Sequence, residues 1–540
     1  LLHGITGSGK TEVYLQALAA VIARGQRGLV LVPEIALTPQ AMARYAGRFP
    51  GRVALLHSGL TDAERRDEWR RIRNGEVDVT LGSRSALFAP IERLGLIVVD
   101  EEHESAYKQD RTPTYSARDV AVKLGELCGA TVVLGSATPS IETYWRARQG
   151  VYRLVELRER APVNAAASVT IARSSSAPPE LPPVTLVDLR AELRGGNTSI
   201  LSAPLQQALQ ETLDRGEQAI LFLNRRGSAS CVLCRECGYV ARCRSCDVSM
   251  TWHAGEQLLI CHYCGRQEAA PQVCPLCWSA SIRYFGLGTE RVEFALKRQF
   301  PQARTLRWDR DTARTRQAHE DLLRAFTERR ADFLVGTQMI AKGLDLPAVT
   351  LVGVVSADIA LFLPDFRASE RAFQLLTQVA GRAGRGETPG RVIMQTFNPD
   401  HFCIQAAARH DYDVFSAAEI AARKRYGYPP FRRFVKCTFE HTDRYTAQIE
   451  ATALAERLER ILRDLTPVRA SEERLGEESL RVAETADIVG PAPAFLERLR
   501  GRYRWQVILR GADPLPILRA LEADGLPRGW SIDIDPATSL

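Results

Sequence analysis

The stretch Gly4-Ile5-Thr6-Gly7-Ser8-Gly9-Lys10-Thr11 has the form G-x-x-x-x-G-K-[ST], a complete P-loop, and it stands almost at the first residue. Its glycines let successive backbone N–H groups turn inward around a phosphate without Cβ clashes. The helix that follows adds its positive end, Lys10 reaches the β/γ-phosphates, and Thr11 offers a hydroxyl to Mg2+. A glycine-rich turn matches this pattern by chance somewhere in a chain of this length with a probability on the order of a few per cent. The loop therefore predicts a bound nucleoside triphosphate.

Short apolar runs alternate with helix-period segments along the rest of the chain. Strands are predicted at 29–33, 77–82, 94–99 and 131–134, and again at 219–223, 332–335, 350–355 and 390–396. Helical patterns fall near 11–24, 61–73, 116–127, 202–215, 289–299, 312–328 and 367–380. Fully apolar strands alternating with helices read as parallel sheets covered on both faces. Two such series predict two α/β lobes, over 1–158 and 201–424. The Ala-, Ser- and Pro-rich stretch inside 159–200 reads as a linker or insertion. From 425 to 540 a smaller α+β unit is expected, opened by Tyr428-Pro429-Pro430-Phe431, which resists helix formation.

Five hundred and forty residues exceed what one core holds. No apolar run approaches a membrane span, and Asp358 interrupts the best candidate at 351–363. The formal charge of +7 suits a phosphate-bearing partner without requiring one. Eight of the twelve cysteines form four C-x-x-C pairs within 44 residues, inside a segment, 231–283, that breaks the α/β pattern. This points to metal in a reducing cytoplasm rather than to disulfides. The pairs are Cys234/Cys237, Cys243/Cys246, Cys261/Cys264 and Cys274/Cys277. Each places two thiolates on one tight knuckle, and two knuckles complete a tetrahedral shell, so two Zn2+ ions are expected. Spacing alone permits nested or sequential pairing. His253 and His262 are weaker alternatives as ligands, and Cys128, Cys403 and Cys437 read as buried apolar cysteines. Arg235, Arg242, Arg244 and Arg266 flank the knuckles, where they either balance the thiolates or meet a partner.

Asp100-Glu101-Glu102-His103 follows the apolar strand Leu96-Ile97-Val98-Val99. A carboxylate at the end of a strand beside a P-loop is placed to hold Mg2+, the role assigned to Asp100, with Glu101 as general base for water. Gln378-Val379-Ala380-Gly381-Arg382-Ala383-Gly384-Arg385 lies on a predicted helix of the second lobe. Arg382 and Arg385, three apart, would share a face and meet γ-phosphate charge from across the cleft.

The order GITGSGKT, LVPEIALTPQ, GSRSALF, DEEH, GSATPS, FLNRRG, VGTQMIAKGLDLP and QVAGRAGR resembles the superfamily-2 DExH helicases. LNRRG running into the cysteine pairs, Pro364-Asp365-Phe366-Arg367-Ala368-Ser369-Glu370-Arg371, YPPF, and Gly490-Pro491-Ala492-Pro493 resemble the bacterial primosomal replication-restart helicases, the PriA (primosomal protein N′) family. The resemblance runs from residue 1 to about 535.

It implies two RecA-like lobes with a zinc-binding insertion in the second, and the motif residues Lys10, Asp100, Glu101, His103, Gln378, Arg382 and Arg385 at the ATPase centre, Arg385 as the finger. It also implies nested zinc pairing, with the outer four cysteines on one ion and the inner four on the other. The activity implied is ATP-driven 3′→5′ movement on DNA at stalled forks, by a nucleoid-associated cytoplasmic monomer. Forked and single-stranded DNA, single-strand-binding protein and the loaders of the replicative helicase are the implied partners. The competing expectation is a zinc-bearing fork scaffold with little ATPase. Three departures from the family bear on this. Only Leu1-Leu2-His3 precede the P-loop, where the family carries a DNA-binding region with a winged-helix part, so reading of a 3′ end is expected to be lost. The family's aromatic-rich loop, 104–118, offers only Tyr107 and Tyr115. Leu344 and Leu346 replace a His and a Phe.

Overall fold

The computed structural model describes residues 1–33, 39–161, 181–224, 230–285, 288–309, 311–313, 315–340, 346, 348–384, 388–465, 486–525 and 529–538. The first lobe is a seven-stranded, wholly parallel sheet. Its spatial order is Val53–Leu56, Val79–Gly82, Arg27–Leu31, Leu94–Asp100, Thr131–Ser136, Leu2–Gly4 and Val155–Leu157. The strand Leu94–Asp100 shows why its sequence is apolar throughout. Leu96 and Val98 face a cluster containing Tyr14, Leu15 and Leu18 of the helix Lys10–Ile22, while Ile97 and Val99 face one containing Ala117 and Ala121 of the helix Ala117–Cys128. Alternate side chains are buried on opposite faces, as a sheet covered on both sides requires.

The second lobe repeats this plan with six parallel strands, ordered Val184–Asp188, Arg391–Thr396, Val349–Ser356, Gln218–Leu223, Phe333–Gly336 and Thr305–Trp308. The stretch read as a linker is therefore structured at its end: Val184–Asp188 pairs with Arg391–Thr396 as the outer strand, and the helix Leu189–Arg194 follows. That strand is short and follows Pro182-Pro183, so its pattern was hidden under the local composition. The short strands Leu2–Gly4, Val53–Leu56, Val155–Leu157 and Thr305–Trp308 were likewise missed, being too brief for periodicity to register.

A five-stranded antiparallel sheet, from Ser230–Cys234 to Ile282–Phe285, is inserted between the second-lobe strand Gln218–Leu223 and the helix Thr289–Gln299. Gly427, with φ of 65°, ends the helix Tyr412–Tyr426 just before Tyr428-Pro429-Pro430, and a four-stranded antiparallel sheet with the helices Arg444–Leu465 and Leu515–Ala523 follows. Among the described residues no helix is long and apolar enough to cross a membrane.

Candidate active site and cysteine clusters

The strand Leu2–Gly4 lies between Thr131–Ser136 and Val155–Leu157 and delivers the P-loop to the carboxyl edge of the sheet. Gly7 and Gly9 have φ of 83° and 85°, which side chains rarely tolerate, and Gly9 caps the helix Lys10–Ile22 with no side chain over its first N–H groups. The Ile5 N–H bonds the Leu157 carbonyl at 3.1 Å, and the Ser8 N–H bonds the Ile5 carbonyl at 3.0 Å. Lys10 folds back so that Nζ donates to the Gly4 carbonyl at 2.7 Å. A Cβ on Gly4 would meet Ser8 Oγ at 2.5 Å. Ser8 Oγ itself is buried with no hydrogen-bond partner, as a group lining an anion cradle would be. Thr11 is the second residue of the helix.

Asp100 ends the strand Leu94–Asp100, half-buried, with the Tyr14 hydroxyl donating to Oδ1 at 2.9 Å. Burial first, then the adjacent Glu101 carboxylate, pushes its pKa up to about 6, against the opposing pull of Lys10 and the Tyr14 hydrogen bond. Buried acidity of this kind, facing a phosphate cradle, is what a divalent cation relieves, so the donor set fits Mg2+. Glu101 is held at φ 48°, a strained backbone for a non-glycine, and its Oε2 is buried without a hydrogen-bond partner.

Glu102 has a different task, which the sequence did not disclose. It accepts from the Ser140 N–H at 2.7 Å, Ser140 Oγ at 3.1 Å, Thr143 Oγ1 at 2.9 Å and Arg118 Nη1 at 3.2 Å. It thereby ties the acidic turn to the start of the helix Ile141–Arg148. His103 sits between the lobes: Nδ1 lies 2.7 Å from Ser136 Oγ and Nε2 lies 3.0 Å from Gln378 Nε2. The Gln378 amide N–H donates to Nε2, so the ring hydrogen sits on Nδ1 and is donated to Ser136.

The helix Ala368–Ala380 stops at Gly381, so Arg382 stands in the turn beyond it rather than on the helix where it was expected. Further on, Gly384 has φ of 65°, and a Cβ there would lie 2.4 Å from the Gly390 nitrogen. Arg382 is buried; Arg385 lies outside the described residues, as does Leu344. Gly381 nonetheless reaches the first lobe: its Cβ position is 3.1 Å from Thr6 Cγ2 of the P-loop.

The two lobes meet through a buried charge cluster that sequence reasoning missed. Arg423 contacts Glu419 at 2.8 Å, Glu142 at 3.2 Å and Glu370 at 2.6 Å, and Arg367 pairs with Glu142. An arginine four residues after a glutamate on a helix is ordinary, and nothing local marks this one as buried. The aromatic-poor loop is also tied down near its start. The Tyr107 hydroxyl donates to the Asp100 carbonyl at 2.6 Å, and Lys108 Nζ reaches Asp533 at 2.8 Å in the last sheet.

The cysteines form two groups, Cys234, Cys237, Cys274, Cys277 and Cys243, Cys246, Cys261, Cys264. The nested pairing is the one present. Sulfur separations of 3.7 Å for Cys234–Cys277, 3.6 Å for Cys237–Cys274 and 3.7 Å for Cys243–Cys264 match the ~3.8 Å edge of a tetrahedron with Zn–S near 2.3 Å. Four thiolates at that spacing fit zinc. His253 and His262 bond each other at 3.2 Å, with His262 Nδ1 on the Pro493 carbonyl at 3.0 Å, and belong to neither group. Arg242 and Arg266 pair with Asp247 and Glu268. Cys403 and Cys437 are buried, but Cys128, expected inside, is exposed at the end of its helix.

Four family models match in succession. A DEAD/DEAH box helicase model covers 1–146, the PriA DNA helicase Cys-rich region covers 243–268, a helicase conserved C-terminal domain covers 271–387, and the primosomal protein N C-terminal domain covers 424–537. The replication restart protein PriA of Treponema pallidum is 40% identical over 546 residues, covering 100% of this chain and 77% of that one. The chain belongs to the PriA family. The PriA proteins of Bacillus subtilis and Synechocystis are 49% and 45% identical over 94% and 99% of this chain. It spans 59% and 62% of those two PriA relatives. The PriA Cys-rich model covers the inner cysteine group, which the outer group brackets in sequence.

Proposed function

We propose that this chain is an ATP-dependent DNA helicase of replication restart, moving 3′→5′ on single-stranded DNA at stalled or collapsed forks. The observation that carries the reading is the convergence of Lys10, Asp100 and Glu101 on one sheet edge, bridged to the second lobe by the His103–Gln378 contact. In this reading the P-loop residues 4–11 cradle the phosphates, Lys10 neutralises their charge, and Thr11 and Asp100 hold Mg2+. Glu101 takes the proton of the attacking water, and Arg385, with Arg382 beside it, answers the charge that develops on the γ-phosphate. When bound, Mg2+ would offset the negative charge of the phosphates. His103 and Gln378 transmit closure, since each is held by the other lobe.

Two Zn2+ ions would stiffen the insertion at 231–283. The division proposed is a first lobe at 1–158, a second lobe that takes in Val184–Asp188 ahead of the expected 201–424, and a C-terminal unit at 425–540. DNA is gripped through its backbone with stacking, so binding is salt-dependent and sequence-tolerant. Single-strand-binding protein and the loaders of the replicative helicase are the partners this reading calls for, in the cytoplasm. The test is DNA-stimulated ATP hydrolysis together with strand displacement on a fork with a 3′ single-stranded arm. Fork binding with no hydrolysis by the zinc-loaded protein would replace this reading with that of a scaffold.

A further inference from the structure

The helix Lys10–Ile22 that carries the P-loop lysine places a second polar group one turn on, at Tyr14. Its ring packs in the cluster with Leu15, Leu18, Leu96 and Val98, and none of the residue is exposed. A phenylalanine fills that space equally well. The hydroxyl is the part that packing does not explain, because a buried hydroxyl without a partner costs about 1–3 kcal/mol. It has a partner, and the partner is the carboxylate Oδ1 of Asp100 at 2.9 Å.

A second observation points the same way. Asp100 is paired in register with Gly135 on the neighbouring strand, and a Cβ on Gly135 would lie 1.7 Å from the Tyr14 hydroxyl oxygen and 2.8 Å from Cζ. The sheet thus leaves a side chain out at the position where the phenol passes to the aspartate. The three residues form one device: a donor on the P-loop helix, a gap on one strand, and a carboxylate at the end of the next.

The geometry points to Tyr14 as a positioning residue for the divalent cation of the nucleotide site. By bonding one carboxylate oxygen of Asp100, its hydroxyl fixes the rotation of that side chain and leaves the other oxygen for Mg2+. It also couples the carboxylate to the helix whose first turn grips the phosphates, so cation and phosphates are held in one frame. The inference rests on the ATPase reading above and adds to it the residue that sets cation affinity. Partners that orient a metal-binding carboxylate typically contribute 10–100-fold in metal affinity or activity.

Tyr14→Phe removes the oxygen alone. In the zinc-loaded full chain with a non-hydrolysable ATP analogue, Mn2+ binding read from the free-ion EPR signal should weaken about tenfold or more. Analogue binding without added Mg2+ or Mn2+ should stay within about twofold, since the phosphate cradle is untouched. In turnover, the Mg2+ concentration for half-maximal ATPase should rise in parallel, with kcat recovered at saturating Mg2+. An unchanged Mn2+ affinity overturns the assignment. So does an activity loss that Mg2+ does not restore and that follows a lowered melting temperature, which would make the hydroxyl a packing element. If the wild-type chain binds neither analogue nor Mn2+, the ATPase reading itself fails, a result distinct from a wild type and variant that bind both alike.

Discussion

Arg423→Met tests how the lobes are held together. The methionine fills the channel of the arginine stem and removes its charge. Arg423 is 1% exposed, and its guanidinium meets three carboxylates from three helices: Glu142 of the first lobe, Glu370 of the second, and Glu419 of its own helix. Glu142 keeps Arg367 after the change, and Glu370 keeps Arg367 at 3.5 Å and the Ile141 N–H at 2.9 Å. Glu419 loses the arginine it pairs with, and burial already holds its pKa above the usual carboxylate range against the pull of Arg423. Breaking a buried pair from one side costs about 3–5 kcal/mol. The fold has one escape, which is to protonate the stranded carboxylate. At pH 7 that costs at most about 3.7 kcal/mol, from a reference pKa near 4.3 at 1.36 kcal/mol per unit.

The expected loss at pH 7 is therefore about 3–4 kcal/mol, and at pH 5, where protonation costs about 1 kcal/mol, it shrinks to about that value. The sign follows from the raised pKa of Glu419: the protonated form is the one the fold accepts, so the variant is at its best below the unfolded pKa and loses stability as pH rises. The wild type behaves oppositely lower down. Burial raises Glu142, but Arg367, Arg423 and Arg118 overcome it and hold its pKa at about 2, so that contribution is present above about pH 4.5 and lost between there and pH 2. Equilibrium urea unfolding of both proteins at pH 7 and pH 5, followed by intrinsic fluorescence, reads the difference; Trp145 lies 5.2 Å from Phe431 close to the cluster. An equal loss at both pH values, or none at pH 7, refutes the idea that these carboxylates are stranded in a dry interface.

Three further outcomes are expected. Glu101→Gln should retain nucleotide binding and lose at least about 10²-fold in turnover, measured as single-turnover ATP hydrolysis, since only the proton acceptor is removed. Elemental analysis should give two zinc ions per chain, and Cys261→Ser should release one while nucleotide binding at Lys10 persists; one ion, or iron, contradicts the two four-cysteine groups. Arg385→Ala should slow hydrolysis by about 10³-fold with little change in nucleotide affinity, and the reverse ranking against Arg382→Ala would move the finger to Arg382.

The P-loop, the acidic strand end and the eight cysteines were legible because each is a local pattern whose residues must lie close together in sequence to work. The long apolar strands were legible for a related reason: burial on both faces leaves no polar residue to interrupt the run. What composition hid was the short and the distant. Val184–Asp188 is five residues beside a proline-rich stretch, and only pairing with Arg391–Thr396 makes it a strand. The zinc knuckles could be counted from spacing, but bringing Cys234 and Cys237 to Cys274 and Cys277 required the antiparallel sheet that pairs Ser230–Cys234 with Ile282–Phe285. Glu102 reads as one of two equivalent acids after Asp100; the fold makes it an anchor on Ser140, Thr143 and Arg118, contacts that Glu101, with its left-handed backbone, does not share. Tyr14 and Arg423 carry no local signal, since a hydroxyl or a guanidinium gains its meaning from a partner tens or hundreds of residues away. Which elements exist is largely a matter of local pattern, and which polar atom meets which is decided by tertiary packing, where the cost of burying an unpaired group selects the contact.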